Sequence, residues 1–225
     1  MIDFEPFVLS LQLAFCTTLL LLVIGIPIAY WLAFSRFKGK PFIEALISLP
    51  LVLPPSVLGF YLLLAFSPEN AFGKFLDQYF DIHLVFTFPG LVIASVLYSF
   101  PFMVQPIQNG FKSITKNLID ASYTLGKTKF ETFKSVIIPN SKNAILTGII
   151  LSFAHTIGEF GVVLIIGGSI PSETKVISIA IYDEVQAMNY QNATFYAGSL
   201  VLFSFLILIA VYSLNHRFTK ISPLS

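Results

Sequence analysis

Two ionisable residues, His155 and Glu159, stand four positions apart in an otherwise apolar stretch of the chain. On one helix, that spacing puts both side chains on the same face, where they can hydrogen-bond to each other. Histidine and glutamate are also ordinary metal ligands, so a metal-dependent hydrolase has to be considered. No third ligand lies nearby in the sequence, and two ligands make a weak metal site. We therefore predict a polar pair that pins this helix on its neighbours, with no metal and no catalytic residue.

A second stretch, residues 121–128, satisfies a relaxed phosphate-loop pattern, which would make the chain a nucleotide-binding protein. A phosphate loop follows a buried strand and opens a helix, so that glycine amides surround the phosphates. Here a lysine-rich helical pattern precedes the segment, and Gly126 is its one glycine. The surrounding loop of about 36 residues is also shorter than the roughly 50 that a small domain needs. The sequence therefore predicts no nucleotide site and no cofactor.

The composition is that of a membrane protein. Hydrophobic residues make up 56% of the 225 positions and charged residues only 11%, which is about half the charged fraction of soluble domains. A net charge of +1 gives no indication of a nucleic-acid partner. A spanning helix needs about 20 mainly apolar residues, and helix is the form that a single spanning segment takes in a bilayer. The stretches of suitable length and composition are 8–34, 42–66, 85–107, 144–166 and 194–214. We predict an all-α, polytopic membrane bundle of about five transmembrane helices.

The basic residues predict the orientation of this bundle. They concentrate in the loop after the first stretch, in the lysine-rich loop 108–143, and after the last stretch, whereas only Lys74 and Lys175 lie on the other side. The positive-inside rule then puts these basic loops and the C-terminus in the cytoplasm and the N-terminus outside. We expect a multi-pass protein of the cytoplasmic membrane.

Three prolines interrupt the second stretch, at Pro50, Pro54 and Pro55. Proline removes a backbone donor and kinks a helix, and the freed carbonyl groups then need a neighbouring helix, a hydroxyl or water. So many prolines at mid-span favour a bent or unwound segment that faces a cavity, although plain packing of a kinked helix stays open as an alternative.

The lysine-rich loop carries helical patterns of its own. Its apolar residues Ile114, Leu118, Ala121 and Leu125 recur at the spacing of one helix face. Gly126 then ends or bends the helix, because glycine adopts left-handed angles without strain. A second apolar run at helical spacing follows and closes at Pro139. Two short amphipathic helices that meet at a glycine indicate a functional loop, since such a stripe argues against disorder.

This loop resembles the motif shared by the membrane subunits of binding-protein-dependent ABC importers. That motif reads Glu-Ala-Ala, three residues, Gly, nine residues, then Ile-x-Leu-Pro. The matching residues are Asp120, Ala121, Ser122, Gly126, Val136, Ile138 and Pro139, with both spacings kept and with conservative replacements. The resemblance implies a type I ABC permease fold over 1–225, and a coupling helix over 120–126 that docks on a separate cytoplasmic ATPase subunit. A surface helix lying on lipid headgroups is the alternative.

A second resemblance concerns the substrate. The run Gly158-Glu159-Phe160-Gly161, followed by Ile166-Gly167-Gly168, is similar to the signature of permeases for molybdate, tungstate and sulfate. The wider runs 155–164, 179–186 and 49–55 resemble the molybdate branch. The resemblance implies molybdate as the substrate, with sulfate or tungstate as alternatives, delivered by an extracytoplasmic molybdate-binding protein that docks on the loop 169–192. One short bundle leaves no partner half for a pore, so we expect a homodimer.

No lysine or arginine lies well inside any predicted span, so the chain holds a dianion only weakly, which suits release during transport. A carboxylate on the path would repel the cargo, and we expect Glu159 to point at His155 or a neighbouring helix. A secondary carrier and a membrane-embedded metallo-hydrolase stay as the less favoured alternatives. We assign the translocation path to hydroxyls and bent backbone at Pro54, Pro55, Ser56 and Thr156.

Overall fold

The computed structural model describes residues 3–220 and the side chains of residues 3–209. Within that part the chain consists of helices and connecting turns, with no strand. The side chains of Arg217 and Lys220, on which the orientation prediction partly depends, lie outside the described residues. The helices are α1 (Glu5–Phe34), α2 (Lys40–Ser48), α3 (Pro55–Phe66), α4 (Ala71–Phe80), α5 (Phe88–Lys112), α6 (Lys116–Thr124), α7 (Lys129–Thr132), α8 (Ile138–Asn140), α9 (Lys142–Gly158), α10 (Gly161–Gly167), α11 (Ile177–Gln186) and α12 (Tyr190–Lys220).

The described helices include three that are long and apolar enough to cross a membrane: α1, α5 and the segment Tyr190–Ile209 of α12. Two bent pairs raise the number of spans to as many as five. In one pair, Lys40–Leu51 meets Pro55–Phe66 at 107°, and in the other, Lys129–Asn140 meets Lys142–Gly158 at 70°. The prediction of an all-α membrane bundle is therefore confirmed. The predicted unbroken fourth stretch, 144–166, is wrong, because α9 ends at Gly158.

The prolines of the second stretch account for its bend. A short 3₁₀ turn, Leu49–Leu51, follows α2, and the chain then leaves helical geometry. Pro54 has φ −55° and ψ 137°, which is extended, and Pro55 is the first residue of α3. The ring of a proline pushes the preceding residue towards extended angles, and a proline fits the first helical position because its missing N–H is not needed there. Consecutive prolines therefore stop one helix and start another.

The core of the bundle is α5, which packs against both α1 and α9. Small residues bring the helices close, as in other membrane bundles. At Gly148 of α9, a Cβ atom would lie only 3.0 Å from the carbonyl oxygen of Met103 in α5. The buried side chains that join the lysine-rich loop to this core include Leu21, Leu32, Met103, Ile107, Phe111 and Ile137.

The last helices are fastened to the first by polar contacts. The N–H of Ile177, at the start of α11, donates to Ser10 Oγ of α1 over 2.8 Å. The hydroxyl of Tyr196 in α12 donates to the carbonyl oxygen of Asp3 over 2.9 Å. Because buried polar groups need partners, these bonds fix where α11 and α12 lie against α1.

Candidate functional site

The break between α9 and α10 places Glu159 outside any helix. Glu159 has φ −72° and ψ 135°, and α10 begins two residues later at Gly161. Its carboxylate accepts hydrogen bonds from the N–H groups of Val162, at 2.7 Å, and Val163, at 3.0 Å. These are among the amides that the first turn of a helix leaves without partners, and a negative charge is favoured there. Glu159 is only 5% exposed, and both of its carboxyl oxygens accept hydrogen bonds from the start of α10.

The predicted bond between His155 and Glu159 is therefore wrong. Residues four apart face each other only on an unbroken helix, and α9 ends at Gly158 between them. His155 Nδ1 instead lies 2.9 Å from Ser99 Oγ of α5. Its ring stacks on Phe102 with centroids 4.0 Å apart and is tilted against Tyr98 at 4.8 Å. The carboxylate of Glu159 points at α10, and the imidazole points at α5.

An open cleft of about 570 Å³ lies where the start of α3 meets the break between α9 and α10. The approach is close, because a Cβ atom on Gly161 would lie 2.6 Å from Cβ of Pro55. Among the predicted site residues, the structure brings Pro55, Ser56, His155 and Glu159 to the wall of this cleft. It does not bring Pro54 or Thr156 there. Thr156 is 3% exposed and lies behind Ser99, with the two hydroxyl oxygens 3.1 Å apart.

The sequence reasoning missed the contribution of α5 to this cleft. Tyr98 lines the wall, and Ser99 holds His155 from behind. The available signal was the pair Ser95 and Ser99, two hydroxyl residues four apart in an apolar span. Such a pair marks a helix face turned towards protein and away from lipid.

A polar cluster between α2 and α5 was also missed. Gln108 donates to Glu44 Oε1, and Lys112 Nζ lies 3.2 Å from the same oxygen. Gln105 donates to Ser48 Oγ over 2.9 Å. The cluster borders a cavity of about 230 Å³ near the start of the lysine-rich loop. The sequence signal for this cluster was the presence of Glu44 in one apolar segment and of Gln105 and Gln108, three residues apart, in another.

The lysine-rich loop 108–143 contains two helix-end motifs, one at the end of α6 and one at the start of α7. At the end of α6, Gly126 has φ +79°, its N–H donates to the carbonyl oxygen of Tyr123, and the N–H of Lys127 donates to that of Ser122. This is the Schellman arrangement that glycine permits. At the start of α7, Thr128 and Glu131 form a reciprocal capping box. The N–H and hydroxyl of Thr128 both donate to Glu131 and hold the pKa of its carboxyl below the usual range.

The two short helices of the loop are also joined to each other and to the bundle. The hydroxyls of Ser122 and Thr132 are buried and lie 2.8 Å apart. Phe133 packs its ring against Tyr30 of α1, with centroids 5.0 Å apart, and against Phe111 of α5 at 6.3 Å. A π-helical turn, Phe133–Ile137, carries the chain on to the exposed Pro139 and α9.

The opposite face of the loop is apolar and exposed. Leu125 is 79% exposed and Phe130 is 73% exposed, although both are large hydrophobic side chains. Leu118, Ala121 and the charged Asp120 are exposed beside them. The predicted residues Asp120, Ala121 and Gly126 therefore lie on the outer surface, whereas Ser122 is turned inwards. Exposed apolar patches of this kind mark sites of protein or membrane contact.

A helical membrane bundle with an open cleft beside a helix break, and with an exposed apolar face on one loop, has the form of a transport subunit. The chain belongs to the family described as the binding-protein-dependent transport system inner membrane component, which matches residues 25–220. It is 50% identical over 217 residues to the molybdenum transport system permease protein ModB of Azotobacter vinelandii, covering 96% of this chain and 95% of that protein. It is 34% identical over 211 residues to the sulfate transport system permease protein CysT of Salmonella typhimurium, covering 94% and 76%.

Solved structures with the same fold are also ABC importers. One is a bacterial ABC transporter involved in the import of the acidic polysaccharide alginate, with a TM-score of 0.74, 16% identity, and coverage of 96% of this chain and 81% of that one. Another is the MetNI methionine ABC transporter in inward-facing conformations, with a TM-score of 0.72, 16% identity, and coverage of 93% and 92%. At these identities the likeness shows the fold alone. The predictions of an ABC permease family, a transport function and an inner-membrane location are confirmed.

Proposed function

We propose that this chain is the membrane-spanning subunit of an ATP-driven importer that carries molybdate across the cytoplasmic membrane. The observation that carries the substrate assignment is the 50% identity to a molybdenum transport permease over nearly the whole of both chains. The relatives that are sulfate permeases are more distant, at 34% identity for one of them. Sulfate and tungstate are tetrahedral dianions like molybdate, so they are the competing substrates.

The energy would come from a separate ATPase subunit that binds the loop around 120–126. Leu125 and Phe130 supply an apolar contact. The Schellman turn at Gly126 and the capping box at Thr128 order the loop before the partner binds. A surface that is already ordered loses less conformational entropy on binding. Loop 108–143 is thus the coupling segment of a single permease domain, and Pro139 stands where the loop passes into α9.

The cleft at Pro55 and Gly161 would form part of the path for the anion. It is open on one side, and an ion crossing the hydrocarbon region must be enclosed by protein. A second copy of the chain, related by a two-fold axis, closes it. Basic residues around Arg36 and in loop 108–143 favour a cytoplasmic position for both loops, with the N-terminus outside. The extracytoplasmic binding protein would dock near α11.

The test is transport in vesicles that contain this chain together with its ATPase and the binding protein. We expect ATP-dependent uptake of molybdate, and competition by tungstate that exceeds competition by sulfate. Leu125→Asp should abolish uptake without reducing insertion into the membrane, because it places a charge in the apolar contact. Leu11→Asn, on the outer part of α1, tests whether an unrelated exposed leucine is equally sensitive. Uptake driven by a proton or sodium gradient in the absence of ATP would refute the proposal, and uptake of sulfate alone would refute the substrate.

A further inference from the structure

A chain of hydrogen bonds fixes the tautomer of His155. Its Nδ1 lies 2.9 Å from Ser99 Oγ, Ser99 Oγ lies 3.1 Å from Thr156 Oγ1, and Thr156 Oγ1 donates to the carbonyl oxygen of Ser152 over 2.9 Å. These contacts need one proton each. The carbonyl has none to give, and the two hydroxyls supply one apiece, so the remaining proton belongs to Nδ1. His155 thus donates to Ser99, Ser99 donates to Thr156, and Thr156 donates to the carbonyl oxygen of Ser152.

The other ring nitrogen, Nε2, is then the free atom. Among residues 3–209, it has no hydrogen-bond partner. His155 lies on the wall of the cleft between α3, α5 and α10, together with the hydroxyl residues Ser56 and Tyr98. Neither of those hydroxyls has a hydrogen-bond partner within the described side chains. A cleft at membrane depth that presents unpaired polar atoms is suited to a polar cargo.

We propose that His155 contacts the translocated oxyanion directly, through Nε2, and is the residue of this chain that recognises it within the membrane. The inference rests on the proposed function, because it requires an oxyanion in the cleft. With Nδ1 already carrying a proton, protonation of Nε2 turns the ring into a cation with a donor aimed at the cleft. A nearby dianion favours this charged form.

The site therefore supplies its positive charge only when it is occupied. Nε2 takes a proton from hydronium in the aqueous solution as the dianion arrives, which leaves a neutral water molecule, and it returns the proton to water as hydronium when the anion leaves. A permanent cation such as arginine would hold the dianion after each step, whereas a transport path has to release it. Molybdate is a stronger base than sulfate, so it shares the proton of an imidazolium more readily, and the contact favours molybdate.

The other titratable groups at the cleft do not compete for this role. Glu159 uses its two oxygens on the N–H groups of Val162 and Val163. Tyr98, on α5, is a neutral phenol whose ring lies against the imidazole. No lysine or arginine lines the cleft among the described residues. Among the described residues that line the cleft, His155 is therefore the titratable side chain with a ring nitrogen that no neighbour uses.

Two substitutions separate the two nitrogens. In His155→Asn, the side-chain amide can still donate to Ser99 but has nothing at the position of Nε2. In His155→Gln, the amide reaches the position of Nε2 and gives up the bond to Ser99. A third variant, Ser99→Ala, removes the partner of Nδ1 and leaves the whole imidazole in place. The assay is molybdate taken up per ATP hydrolysed, in vesicles with the ATPase and loaded binding protein.

We expect His155→Asn to lower uptake per ATP about tenfold or more, the scale of a lost hydrogen bond to a charged group. His155→Gln should lose clearly less uptake than His155→Asn, because its amide still donates at the position of Nε2 although it carries no charge. Ser99→Ala should also lose less than His155→Asn, because the whole imidazole remains in place. In His155→Gln, the preference for molybdate over sulfate should fall, because an amide cannot share a proton with the more basic anion.

Two results would overturn the inference: normal uptake by His155→Asn, or equal losses in the Asn and Gln variants when both assemble with the ATPase. If His155→Asn does not assemble, the Gln variant decides whether the inference stands. A loss of uptake of about tenfold or more by His155→Gln in an intact complex counts against a contact through Nε2. Failure of the unaltered complex to import molybdate at all would instead overturn the proposed function.

Discussion

Replacement of Gly126 by alanine tests whether the shape of loop 108–143 controls the proposed docking of the ATPase. Gly126 has φ +79°, in the left-handed region. A Cβ atom at this position would meet nothing within 4 Å. Steric exclusion by neighbours is therefore absent, and the cost of a side chain is backbone strain alone. This distinguishes Gly126 from the glycines packed between helices, where added bulk would displace neighbours.

The backbone strain at this position sets the size of the expected loss of affinity. A residue other than glycine in left-handed geometry costs about 1–2 kcal/mol, and asparagine tolerates it better than most. In Gly126→Ala the free loop relaxes away from the Schellman turn, and the ATPase has to restore it on binding. The affinity of the ATPase should then fall by a factor of about 5–30. The affinity should fall much less in Gly126→Asn than in Gly126→Ala. It should fall more in Gly126→Val, because a β-branched residue is a greater outlier at positive φ.

The assay is the dissociation constant of purified ATPase from the permease in nanodiscs, with membrane insertion measured separately. The expected order of affinities is glycine, asparagine, alanine, valine. Asparagine is the matched control, because it adds more volume than alanine and yet fits the backbone angle. Equal losses for asparagine and alanine would show that bulk and not φ matters, and an unchanged affinity for alanine would refute the coupling role of this turn.

Three further predictions concern polar contacts. Thr132→Val leaves the buried hydroxyl of Ser122 unpaired and should destabilise the loop by about 1–3 kcal/mol, seen as faster amide exchange; adding Ser122→Ala should restore most of the protection, and an additive loss would contradict the pairing. Glu159→Gln weakens the cap of α10 and should lower the free energy of unfolding by about 1–2 kcal/mol; a change in oxyanion selectivity with assembly intact would place this carboxylate on the path instead. Glu44→Gln should cost less than about 1 kcal/mol in thermal unfolding, since its ion pair is partly exposed, and a larger loss would show that the cluster is a principal tie between α2 and α5.

Much of the fold could be predicted from the sequence because bilayer spans carry a strong signal. A stretch of about 20 apolar residues is informative without any knowledge of its neighbours. The sequence signal for the end of α6 was also local, because Gly126 by itself permits the left-handed turn that ends the helix. The bend near Pro54 was predictable for the same reason, because proline acts on its own peptide group and the residue before it.

The cleft was harder to predict because its residues depend on partners distant in sequence. The position of Glu159 four after His155 indicated one helix face, and nothing local shows that the helix ends at Gly158. The carboxylate stabilises that break from outside the helix, by capping α10. Ser99 lies 56 positions before the histidine that it holds, so only the packing of α5 on α9 could reveal the contact.

The loop and the cleft are connected by a single helix, and this bears on how they work together. α9 starts at Lys142, directly after the loop, and ends at Gly158 beside the cleft. At 1.5 Å per residue its length is about 25 Å, most of the hydrocarbon thickness. Phe133 and the buried Ile137 pack against α1 and α5, so the loop also contacts the two helices beside α9. Because one helix carries Lys142 at its start and His155 in its last turn, we expect a shift imposed at Lys142 to reach the ring that faces the cleft and to change its distance from Ser99 on α5.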